Sequence, residues 1–146
     1  IWSLTPKANR FFPDGHNELL VSLLGSVRTA FGEAGVDKLL RDRAERQYTA
    51  YVDSVPTDAP LEEQVEALAR IRSDEGYMAE AGRDEAGSLV LIENHCPICE
   101  AAAACRGFCD HERALFQRIL GDGVAVERTE HILDGHRRCV YRIVAA

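Results

Sequence analysis

The sequence predicts an α+β protein, with N-terminal helices followed by a four-stranded antiparallel sheet with inserted cysteine-bearing helices. Three observations carry this. Apolar residues recur at helical spacing through the first half of the chain. After Gly76 the texture changes to short β-prone runs broken by turn residues. The C-terminal stretch reads as a hairpin around Asp134-Gly135.

Residues 1–13 read as the end of an upstream winged-helix domain and its connector, bounded by Pro13, and the lack of a Met at position 1 fits a piece of a longer chain. Residues 14–146 read as one sensor and dimerisation domain. Leu19, Leu20, Leu23, Leu24, Val27, Ala30 and Phe31 form a helical stripe over 15–33, with Asp14 as cap and Gly35 as stop. Val36, Leu39, Leu40, Ala44, Tyr48 and Tyr51 form a second over 36–54, whose other side is charged and solvated. A third helix fits 60–74, with the stripe Leu61, Val65, Leu68 and Ile71 between Pro60 and Gly76. Tyr77–Arg83 and Leu89–Ile92 read as strands around an Asp84–Gly87 turn. An alanine-rich helix near 97–104 and a helix at 109–120 precede strands over Val124–Leu133 and Arg137–Val144.

Composition narrows the function classes. The net charge of −7 makes this stretch a poor partner for a phosphate backbone by itself. No apolar run of about 18 residues and no basic-then-apolar leader is seen, so a cytoplasmic protein without a membrane partner is expected. No carboxylate pair, glycine-rich phosphate loop or serine triad motif appears, and a non-enzyme is expected. Helices one and two carry more apolar residues than a thin sheet can cover, which predicts a homodimer.

The cysteines are the unusual feature. Cys96, Cys99, Cys105 and Cys109 fall within 14 residues, and Cys139 is the fifth. An odd number without a leader argues against a disulfide framework, and clustered reduced thiols are soft donors for zinc or an iron–sulfur cluster. Pro97 suggests that Cys96 caps a helix, where the dipole favours its thiolate; Cys109 in the first turn of the next helix gains the same bias. Cys99 and Cys105 read equally as ligands or as small packing residues.

His131 depends on hairpin geometry. A two-residue Asp134-Gly135 turn puts His131 and Cys139 on opposite faces, whereas a three-residue loop bulged at Leu133–Gly135 puts them on one face. His95 and His111 flank the cysteines as weaker candidates, and His16 and His136 have no constellation around them.

The segments Glu93-Asn94-His95-Cys96-Pro97, Cys109-Asp110-His111-Glu112, Val126–His131 and Arg138–Ile143 resemble the C-terminal half of ArsR/DeoR-type winged-helix transcriptional regulators that include SufR. Ile1–Ala8 resembles the wing's exit in that family, and Phe12–Leu19 its connector. The resemblance implies a transcription regulator, with an iron–sulfur cluster on Cys96, Cys109 and Cys139, a dimer, and DNA bound through an upstream winged helix. Many relatives carry a cysteine where this chain has His131, which implies either a mixed set with His131 or Cys99 or Cys105 in its place, and keeps zinc as the alternative metal. A small-molecule sensor, with a pocket between helices and sheet, and a thiol enzyme using Cys96 are competing readings.

Overall fold

The computed structural model describes residues 15–146; the strand end, the connector and the Asp14 cap expected before them lie outside the described residues. The order is α1 (His16–Val52), α2 (Leu61–Asp74), β1 (Ala79–Arg83), β2 (Leu89–Glu93), α3 (Cys99–Ala104), α4 (Gly107–Leu120), β3 (Val124–Glu130) and β4 (Cys139–Ala145). The strands form one antiparallel sheet in the order β1-β2-β4-β3. This is the expected α+β arrangement, with both cysteine-bearing helices inserted between β2 and β3.

The sheet buries one face under α2 and α4. Leu89 and Leu91 of β2 and Tyr141 and Ile143 of β4 meet Val65, Leu68, Leu115, Phe116 and Ile119 in the main apolar cluster. Phe116 meets the Tyr141 ring edge-on, with centroids 4.9 Å apart. A second cluster joins Leu24, Val36 and Leu40 of α1 to Ala101, Ala102, Cys105, Phe108 and Cys109. It seats α3 and the start of α4 on α1. Leu40 comes so close to Gly107 that a Cβ there would stand 2.6 Å from its Cδ1.

The first two expected helices merge into α1. Gly35 does not end the first; the interruption lies at Gly32, with φ 68° and ψ −174°. That backbone region is essentially reserved for glycine. By length and composition α1 alone among the described residues could cross a membrane, unlike the expectation of no such run. The non-helical Gly32 interrupts α1, so it is not one continuous helical rod. Leu19, Leu23 and Phe31, before the break, are exposed.

The hairpin between β3 and β4 follows neither expected turn. Arg128 pairs with Tyr141 but Glu130 pairs with Val140, so the bulge falls at Thr129 and not at Leu133–Gly135. The strands then part, and residues 131–138 connect them through a 3₁₀ turn at Ile132–Asp134 and a left-handed Gly135. The extra residue in β3 shifts the register by one, so that Glu130 pairs with Val140 before the strands part.

Gly32→Ala tests the break. No atom crowds a Cβ at this position, so the cost is backbone strain alone. A loss of about 1–3 kcal/mol is expected from urea unfolding.

Candidate metal or cluster site

The site grows from a buried guanidinium. Arg72 stands at helical spacing from Val65 and Leu68, and so faces the sheet although it is charged. Its side chain has no exposed surface. Nε donates to Glu93 Oε1 at 2.6 Å, Nη2 lies 3.1 Å from Glu112 Oε1, and Nη1 donates to the Tyr51 hydroxyl and to Glu75 Oε2, both at 3.3 Å. The plane stacks on Tyr77, 3.4 Å from the ring centroid, and the Tyr77 hydroxyl donates to Glu112 Oε1 at 2.8 Å. Tyr51 in turn donates to Glu75. A planar fork of donors suits this many partners, as a lysine would not.

Burial works against the charge on Arg72, but Glu112 and Glu93 outweigh it and hold its pKa well above the ordinary value. Burial also dominates at Glu93, and pushes its carboxyl up to about 7 against the pull of Arg72.

Three cysteines are tied to this network through neighbours. Cys109 is one helical turn before Glu112 on α4, and Cys139 is the cross-strand partner of Glu93. Cys96 lies just past β2, in the turn that leads to α3, where its carbonyl accepts from Cys99 N. The three thiols thus come from three elements, and the negative charge of Glu112 bears on all three. Burial is the leading influence on each; it pushes Cys96 and Cys109 up to about 12 and raises Cys139.

The expected helix-dipole effect on Cys96 is therefore corrected. Ile98, not Cys96, stands at the N-cap of α3, and desolvation outweighs the backbone hydrogen bond from Ile98. Cys109 is in the first turn of α4 as expected, yet desolvation prevails there too.

The remaining candidates divide. Cys105 caps the C-terminus of α3 and is buried in the second apolar cluster. Cys99 opens α3, half-buried, and is sensed by Cys96. His131 is buried; its Nδ1 lies 3.3 Å from Asp134 Oδ2, and its Nε2 has no hydrogen-bond partner. Burial lowers its pKa, so the ring is neutral at pH 7. The backbone N–H of the next residue, Ile132, points at Cys139 Sγ, 3.4 Å away. His136 turns its Nδ1 to the backbone of His131, and His111 lines an open cavity of about 480 Å³ between α1 and α4, with Lys38, Asp42, Glu45 and Arg118. That cavity lies outside the helix–sheet interface, where the small-molecule reading put its pocket.

Among the described residues no three His, Cys, Asp or Glu side chains stand together as a ready site for one metal ion. A tetrahedral zinc, at about 2.3 Å from each thiolate, needs sulfurs within roughly 3.8 Å of one another. The donor chemistry itself, reduced thiols, is of the soft kind that holds zinc or an iron–sulfur cluster.

No family model matches the chain, and no curated protein does. It is similar in shape to the crystal structure of a trafficking protein particle complex subunit 3 from Naegleria fowleri covalently bound to palmitic acid, at 14% identity and a TM-score of 0.49, over 89% of this chain and 95% of that one. This finding corrects the expected transcription regulator with a winged helix, and the expected partner set of DNA and a second copy without a membrane. That protein is described as a subunit of a trafficking complex. The expected metal-binding character is corrected in one respect, since the donors do not stand as a preformed single-ion site. At this identity nothing of that subunit's lipid or assembly passes to this chain.

Arg72, Glu93, Glu112 and Tyr77 escaped the sequence reading. Arg72→Ala strands two buried carboxylates and is expected to cost about 3–5 kcal/mol in urea unfolding. Glu93 titrates higher in the folded chain than in the unfolded one, so protonation favours folding. Its penalty is absent below the unfolded value, grows as pH rises, and is complete above about 7. Between pH 5 and 8 the stability difference between Glu93→Gln and the native chain should therefore shift towards the variant; no shift in the two urea midpoints would refute the raised carboxyl.

Proposed function

We propose that this chain is a non-catalytic sensor domain that holds an iron–sulfur cluster on Cys96, Cys109 and Cys139. The observation that supports the reading is the attachment of three cysteines to one buried ion network: Cys96 in the turn just past β2, Cys109 one helical turn before Glu112, and Cys139 opposite Glu93, with both carboxylates on Arg72. A thiol enzyme is disfavoured by the same burial, because a nucleophile works as its thiolate and Cys96 is pushed up to about 12. The resemblance of Asn94-His95-Cys96-Pro97 to the sensor half of SufR-like proteins supports the same cofactor. Free thiols in these numbers suit a reducing compartment, and we read the chain as cytoplasmic.

When bound, the cluster supplies one-electron chemistry and sensitivity to oxidants. This chain's residues supply thiolates, each of which must release its proton on binding, and a dry setting. Anaerobic reconstitution with ferrous iron and sulfide should give a brown protein with thiolate-to-iron absorption. Cys96→Ser, Cys109→Ser and Cys139→Ser should each lose most of the iron, and Cys105→Ser little. Full iron content in Cys109→Ser would overturn the ligand set.

A further inference from the structure

The cysteines divide by access. Cys105, Cys109 and Cys139 are buried, whereas Cys96 and Cys99 are half-buried and reach solvent. These two are also joined by a turn. The Cys99 N–H donates to the Cys96 carbonyl at 3.3 Å and closes the four residues Cys96-Pro97-Ile98-Cys99. Such a turn keeps its first and fourth Cα atoms within about 7 Å. Disulfides bridge Cα separations of about 4.4–6.8 Å. The backbone therefore holds this pair at bridging range without rearrangement.

Both flanks of the turn are fixed. Before it, His95 N donates to the Tyr77 carbonyl at 3.0 Å. Pro97 lies over Gly76, 3.7 Å from where a Cβ of that residue would stand. After it, Ala102 N donates to the Ile98 carbonyl at 2.9 Å, and Ala101 and Ala102 are buried in the cluster that seats α3 on α1. A pair held in this way has little chain freedom left to lose on bridging.

We infer that Cys96 and Cys99 form a reversible dithiol–disulfide pair, oxidised by a small disulfide of the glutathione class. Cys99, as its thiolate, attacks the oxidant's disulfide; one glutathione leaves and takes the proton that Cys99 gave up. Cys96 then attacks Cys99 Sγ in the mixed disulfide, and the second glutathione leaves with the Cys96 proton. Two protein thiols become one disulfide, and one glutathione disulfide becomes two thiols. Burial disfavours the Cys96 thiolate, which suits Cys96 to the second step, where proximity within the turn compensates. The inference goes beyond the cluster reading and does not rest on it. A Cys96 bound to iron cannot close the bridge, so the disulfide belongs to the cluster-free chain, and closing it withdraws Cys96 from any ligand set.

The test uses the full chain, freed of metal with a chelator, reduced, and equilibrated anaerobically in buffers of varied reduced-to-oxidised glutathione ratio. Acid quenching, alkylation after unfolding and mass spectrometry of the intact chain and its digest then read the thiols. The native chain should pass from fully alkylated to a form with two fewer alkylated cysteines, with Cys96 linked to Cys99, and return when reduced glutathione is restored. Cys99→Ser and Cys99→Ala should abolish that form, while Cys105→Ser should retain it. A folded native chain that stays reduced across the series, or stops at a glutathione adduct, overturns the inference. So does a bridge between any other two cysteines. Iron plays no part in this readout, so failure of the cluster reading leaves it unchanged.

Discussion

A guanidinium without exposed surface links α2 to β2 through Glu93 and to α4 through Glu112, while Tyr77 covers its plane. Burying a charge is tolerable only with partners, and here the partners come from every layer that surrounds it. The helix–sheet registry follows. α4 cannot slide along the sheet without taking Glu112 from Arg72, and α2 cannot turn without taking Arg72 from both carboxylates. Cys109 and Cys139 are each attached to one of those carboxylates, by a helical turn and by a strand pairing. The distance between the thiols is therefore set by an ion network that contains no cysteine.

The charge balance of that network bears on the site. Two buried carboxylates oppose one buried cation, and Glu93 answers by holding its proton to about pH 7. Thiolates would add negative charge to a region that already has an excess, which is why burial and Glu112 act together to keep Cys109 neutral.

Much of the architecture was legible because periodicity reports it directly. The stripe of α2, the apolar run of β2 and the alternation of β4 each had one physical outcome. Gly35 misled, because a glycine stops a helix only where the chain must leave it, and the departure occurs at Gly32. The hairpin misled because Gly135 fixes a left-handed residue but not the length of the connection around it. Arg72 carried a signal, its helical spacing from Val65 and Leu68, that its charge obscured. Its carboxylate partners could not be read, since Glu93 and Glu112 meet only through tertiary packing.

The strand order has an effect on how the molecule meets others of any kind. β2, with its Leu89-Val90-Leu91-Ile92 run, is the segment most able to template a foreign strand, and it lies inside the sheet with both sets of backbone groups spent on β1 and β4. The edges are β1, only five residues long, and β3, which bears Glu127, Arg128 and Glu130 and is bent at Thr129. Short, charged and kinked borders resist strand addition. Among the described residues the sheet thus has borders that disfavour association by backbone pairing.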